Sequence, residues 1–224
     1  MMEAVIFDLD GVVVKTDEYH YLAWKEIAEK YDLKFDYEMN HMLRGVSREE
    51  SLKIILDQNK KKLDQTTLDM MLDEKNSVYR SLLKNIAPRD ILPGVPSLLI
   101  SLKQNNIKVA IGSSSRNTQI ILDQLNLTDT FDVVVNGNDI KRSKPDSEIF
   151  LLAAEKLSSN PKSSVVVEDA NAGIEAAVMA GMFAIGVGPQ ALKNAHLMLP
   201  DLLNLNANIM GQYFSNWKRA VKEK

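Results

Sequence analysis

The ten residues AVIFDLDGVV, positions 4–13, decide the fold. Residues 4–9 read as a short buried strand that ends on Asp8, Leu9, Asp10 and Gly11. Strand side chains alternate, so Asp8 and Asp10 face the same way. Both carboxylates then project past the carboxyl end of the strand, where open α/β sheets hold ligands. The plainer alternative is a solvated turn, because DLDG is also a turn sequence.

Outward from this strand, four more short runs rich in Val and Ile follow at residues 107–112, 133–135, 165–167 and 183–187. Such runs suit parallel strands covered on both faces. Residues 96–104, 117–125, 147–157 and 171–180 separate or follow them with helical spacing. Alternating strands and helices predict a doubly wound parallel α/β sheet. Residues 16–93 break the alternation. They contain no convincing strand and read as helices over 18–31, 48–59 and 66–85, with Ser47 and Glu50 spaced as a capping box. The expected organisation is therefore an α/β core, residues 1–15 and 94–224, interrupted by an all-helical unit over 16–93. Pro88 and Pro93-Gly94 mark the return to the core. Residues 206–222 read as a surface helix with Trp217 and Val221 on one face.

Composition narrows the chemistry. Lys and Arg number 27 and Asp and Glu 30, a net charge of −3 that offers no drive toward nucleic acid. There is no cysteine, which excludes disulfides, thiolate nucleophiles and thiolate-held zinc. No stretch approaches the ~20 apolar residues of a membrane span, and the opening lacks the pattern of a secretory signal. The expectation is a cytoplasmic protein, a monomer, with no membrane or nucleic-acid partner.

Three further groups lie at strand ends. Ser113 follows the strand at 107–112, Lys144 precedes the helix at 147–157, and Glu168-Asp169 closes the strand at 165–167. Each alone has an ordinary explanation as a helix cap or a solvated charge. Together with Asp8 and Asp10, in this chain order, they resemble the haloacid dehalogenase superfamily. The resemblance covers nearly the whole chain. It is carried by FDLDGVVVKTDEYHYLAW (7–24), LRGVSREESL (43–52), SSSRN (113–117), SKPDSEIF (143–150) and VEDANAGIEAA (167–177). These last stretches are most similar to the superfamily's glucose-phosphate mutases. Arg44 departs from them, standing where lysine is usual.

The resemblance implies a strand order of 5-4-1-2-3 and a mobile helical cap. It implies interconversion of β-glucose 1-phosphate and glucose 6-phosphate through a bisphosphorylated glucose. Asp8 becomes the nucleophile, Asp10 the general acid and base, and Ser113 and Lys144 the stabilisers of the transferring phosphoryl group. Thr16 and His20 become aids to the placement of Asp10. Mg²⁺ is implied at Asp8, the Asp10 carbonyl, Asp169 and Glu168. Gly45, Val46, Arg48, Lys75, Ser115, Arg116 and Asn117 become substrate contacts, with Arg48 gripping the phosphate that is not reacting. Because Asp10 stands so near another carboxylate, its pKa is expected to be raised. Two other functions compete: a sugar-phosphate phosphatase of the same superfamily, and a noncatalytic sugar-phosphate-binding module.

Overall fold

The computed structural model describes residues 1–223. Six parallel strands form one sheet in the order β3-β2-β1-β4-β5-β6. They are β1 (Ala4–Phe7), β2 (Lys108–Gly112), β3 (Val133–Val135), β4 (Ser164–Glu168), β5 (Phe183–Val187) and β6 (Leu197–Leu199). The first five take the expected order. The sixth, a three-residue edge strand of half-buried Leu and Met, is too short to show a period in the sequence. It pairs with β5 through Ile185–Leu197 and Val187–Leu199.

The apolar runs lack alternation because both faces of the sheet are covered. In β1, Val5 and Phe7 enter one cluster with Leu98, Leu102, Ile121 and Phe214, while Ala4 and Ile6 enter the other with Phe150, Ala154, Ile174 and Ala177. The first face is thus covered by α5 (Val95–Gln104), α6 (Thr118–Gln124) and α9 (Ala207–Lys222), and the second by α7 (Glu148–Lys156) and α8 (Asn171–Met179). α9 is more than a surface helix. Met210 and Phe214 are buried, and the Trp217 ring packs 5.3 Å from that of Phe183. Val221, expected to share that face, is exposed.

Between β1 and α5 lie α1 (Asp17–Lys30), α2 (Tyr37–Met42), α3 (Arg48–Gln58) and α4 (Gln65–Leu83). They bury an apolar cluster of their own around Trp24, Ile27, Leu52, Ile55 and Met71. Tyr79 and Leu83 of α4 instead join the sheet's cluster. Ser47 caps α3 by accepting from Glu50 N at 3.1 Å, while the Glu50 side chain turns to Lys53 (3.4 Å). α2 is six residues long, too short for a periodic signal, and Asp36 caps it through Met39 N (2.9 Å). No helix among the described residues is long and apolar enough to cross a membrane.

Candidate active site

Parallel register brings the acids and the lysine together. Phe7 lies level with Ile111 on β2 and Val167 on β4, so the next residues of the three strands share one edge. Asp8 is held there by its N–H, which donates to Val167 O at 2.9 Å, and Ser113 by a bond from its N–H to Val135 O at 3.1 Å. Lys144 reaches the same point from the β3–α7 loop. Its Nζ pairs with Asp8 Oδ1 and lies 2.7 Å from Glu168 Oε1, with all three residues buried. Glu168 is committed on both oxygens, because Oε2 accepts from Ala170 N at 2.8 Å.

The balance of charge is unfavourable. Asp8 and Glu168 share a single lysine, and the nearest cation to Asp169 is Arg44, 4.0 Å away. Burial pushes the Asp8 pKa up, with Glu168 and Asp10 adding to the effect and Lys144 opposing it. Burial raises Asp169 as well, reinforced by Glu168 and Asp8. Burial also works against the charge on Lys144, but Asp8 and Glu168 outweigh it and hold the lysine above its ordinary range. Residual negative charge in a hard-oxygen pocket suits a divalent cation. Gly11 permits the approach of Asp169: at φ +84° it has no Cβ, and one placed there would sit 2.1 Å from Asp169 Oδ2. Among the described residues no three Asp, Glu or His side chains form a ready ligand cluster. Asp8 and Asp169 line the cavity together with Asp10 and Asp17, whereas Glu168 is turned to Lys144 and Ala170.

Asp10 does not behave as its neighbours do. Burial raises its pKa, but hydrogen bonding and charge from His20 and the hydrogen bond from Thr16 more than offset this, and the net shift is downward. The expected upward shift is therefore corrected: the donors around Asp10 outweigh the effect of burial. Thr16 Oγ1 donates to Asp10 Oδ1, and His20 Nε2 lies 3.8 Å from the same oxygen. On the far side of the imidazole, Nδ1 is 3.1 Å from Lys75 Nζ. Lys75 is 3% exposed and sits over the rings of Tyr79 (4.4 Å) and Trp24 (5.2 Å). Burial, then the charge of Arg48, lowers its pKa to about 7.

This sets a pH dependence of stability. The Lys75 pKa is lower in the folded chain than its ordinary value of 10.5, so between about 7 and 10.5 the unfolded state binds more protons. Stability from this group therefore rises with pH through that window. Lys75→Met removes the rise, so the variant gains on wild type most at or below pH 7 and least near pH 10. Urea denaturation at pH 6.5 and 9.5 checks it. An unchanged difference at the two values rules out the buried amine as the source.

The loop from Leu43 to Ser47 docks the helical unit against the core. Gly45 adopts φ +76°, and its carbonyl accepts from Ser114 Oγ at 3.3 Å. A Cβ there would stand 2.9 Å from Ala170 Cβ. Two more contacts cross the same gap: Arg116 Nη1 to Glu49 Oε1 at 2.8 Å, and Asn117 Nδ2 to Asn76 Oδ1 at 2.9 Å. Ser115 closes the β2–α6 turn by accepting from Asn117 N (3.2 Å). A cavity of about 330 Å³ lies between the two parts. Asp8, Asp10, His20, Gly45, Val46, Arg48, Lys75, Ser113, Ser115, Arg116, Asn117 and Asp169 all line it. Thr16, Lys144 and Glu168 stand behind that lining, Thr16 against Asp10, Lys144 against Asp8, and Glu168 against Lys144. Arg48 Nη1, at the cavity wall, is buried with no hydrogen-bond partner among the described residues. Sequence reading missed Glu49, Asn76, Tyr79 and the Arg44–Asp17 pair, because each matters through a partner distant in sequence.

The family model described as haloacid dehalogenase-like hydrolase matches residues 5–187. The chain is 42% identical over 220 residues to the β-phosphoglucomutase of Bacillus subtilis, covering 97% of each. It is 35% identical over 184 residues to a phosphorylated carbohydrates phosphatase of Thermotoga maritima, covering 81% of this chain and 82% of that one. A crystal structure of β-phosphoglucomutase from Clostridium difficile superposes with a TM-score of 0.92 at 40% identity, over 97% of this chain and 99% of the other.

Proposed function

The chain belongs to the haloacid dehalogenase-like hydrolase family, and we propose that it interconverts β-glucose 1-phosphate and glucose 6-phosphate. The observation that carries this reading is the near-complete alignment with β-phosphoglucomutases, in sequence and in fold. The helices of residues 16–93 act as the cap over an α/β core, and the cavity between them receives the sugar phosphate.

Family membership implies a divalent metal. Mg²⁺ is the ion proposed, at Asp8, Asp169 and the main-chain carbonyl of Asp10, a small protein share that suits an ion retaining waters. It supplies charge neutralisation at the transferring phosphoryl group. Asp8 attacks phosphorus and becomes an acyl phosphate. Lys144 holds Asp8 in line and adds fixed positive charge, and Ser113 donates to a phosphoryl oxygen. Asp10, kept ionised by Thr16 and His20, accepts the proton of the sugar 6-hydroxyl as that oxygen attacks phospho-Asp8. It returns the proton to O1 once the bisphosphate has turned round. Proton and phosphoryl group are then both conserved over one cycle. Ser115, Arg116 and Asn117 contact the distal phosphate from the core, Gly45 and Val46 offer backbone from the cap, and Lys75 fixes His20.

Arg48 distinguishes mutase from phosphatase chemistry. Its unpartnered guanidinium nitrogen supports a grip on the phosphate that is not reacting. Arg48→Ala lowers turnover of the sugar by roughly tens to thousands of fold, the ~2–5 kcal/mol of a desolvated charged contact. It leaves phosphorylation of Asp8 by acetyl phosphate nearly intact, since that donor has no distal phosphate. Equal loss of both activities would show general damage, and loss of neither a solvated arginine.

The similarity to a phosphorylated carbohydrates phosphatase favours hydrolysis as the second reading. A coupled assay for glucose 6-phosphate from β-glucose 1-phosphate, with the α anomer as control, separates the two. Release of free phosphate without glucose 6-phosphate overturns the mutase. Failure of acetyl phosphate to label Asp8 points to a binding module.

A further inference from the structure

Arg44 stands in the loop between α2 and α3 and lines the cavity. Its guanidinium meets two acids from different parts of the fold. Nη2 pairs with Asp17 in the first turn of α1. Nη1 lies 4.0 Å from Asp169 Oδ2, beyond hydrogen-bond reach but well within range of strong attraction. Nε is buried and has no partner among the described residues. The side chains of Arg44, Asp17 and Asp169 are 26%, 34% and 13% exposed, so these charges are only partly screened.

A cation here offsets part of the excess negative charge on Asp8, Glu168 and Asp169, the same charge that a divalent ion answers. Asp17 draws it the other way. We propose that Arg44 is a positioning residue, tethered by Asp17 just short of Asp169, that sets how tightly the acidic site takes its divalent cation. Freed from Asp17, the guanidinium closes the remaining gap to Asp169 and competes with the ion. Removed altogether, it leaves the carboxylates more exposed to the ion's field. The two-pronged fork explains arginine at this position. Separate Nη atoms address two carboxylates at once, whereas the point charge of a lysine serves one.

The proposal rests on the reading that Asp8 and Asp169 hold Mg²⁺. The experiment is therefore calorimetric titration of the resting protein with Mg²⁺ alone, without sugar or phosphodonor. Asp169→Asn should lose saturable binding. Arg44→Gln should tighten it by roughly 3- to 10-fold, the order for one partly solvated charge a few ångströms away. Asp17→Asn should weaken binding by a similar factor in the wild-type background and change it little in the Arg44→Gln background. Arg44→Lys should fall between wild type and Arg44→Gln. Unchanged affinity in Arg44→Gln overturns the proposal. So does an equal weakening by Asp17→Asn in both backgrounds, which assigns the effect to Asp17's own charge. A lysine variant identical to wild type overturns the two-partner geometry. If wild type takes up no Mg²⁺, or Asp169→Asn binds it as tightly, the metal reading itself fails and the proposal with it.

Discussion

Asp8→Asn yields a folded protein with no measurable turnover of β-glucose 1-phosphate. The amide is nearly isosteric with the carboxylate, and the Asp8 N–H to Val167 O bond that fixes the residue is a main-chain bond the change does not touch. An amide cannot become an acyl phosphate, so both halves of the cycle stop together. Folding should hold or improve. Asp8 is a buried carboxylate whose pKa is pushed up by its surroundings, and neutralising it removes a repulsion with Glu168 and Asp10. The change also removes the acceptor facing Lys144, which keeps Glu168 as its partner at 2.7 Å. Thermal unfolding and the coupled assay on the same preparation test both statements. Substantial mutase activity in folded Asp8→Asn protein removes Asp8 as nucleophile.

Asp10→Ala separates the two carboxylates of the opening motif. Asp8 and Lys144 remain in place, so acetyl phosphate, whose leaving group needs no proton, still labels the enzyme. Transfer to and from the sugar hydroxyls loses its acid and base and falls by about 10²–10⁴. The pH profile carries a second signature. Thr16 and His20 hold the Asp10 pKa below its ordinary value, so the base form should persist into mildly acidic solution and activity should fade only as pH drops through that lowered value. Thr16→Val takes away one donor, and the acidic limb should move to higher pH. An unmoved limb in Thr16→Val, or near-normal sugar turnover in Asp10→Ala, sets Asp10 aside.

The amino-acid sequence by itself determined the first five strands, the helices between them and the interruption by helices after the first strand. Those features are written in local period and in the order of elements along the chain: 4–9 as a short apolar run, 48–59 at helical spacing behind Ser47. It also placed acids at strand ends, because a parallel sheet sends every carboxyl end to one edge whatever the details of packing. The sixth strand and the six-residue α2 were illegible, being shorter than the periods that would reveal them. What only the tertiary structure decided is how each charge is satisfied. Asp10 was expected to titrate high beside its neighbour and instead titrates low, because Thr16 and His20 fold back on it. Glu168, read in the chain as an acid at a strand end, has its two oxygens accepting from Lys144 and from the Ala170 N–H. Arg44 finds Asp17 within the helical unit, and meets Asp169 only when that unit settles against the core. A carboxylate's pKa and its partner depend on the nearest few ångströms in space, and those ångströms are filled by the way the chain folds back, from Thr16 six residues beyond Asp10 to Lys144, which reaches Glu168 across 24 residues.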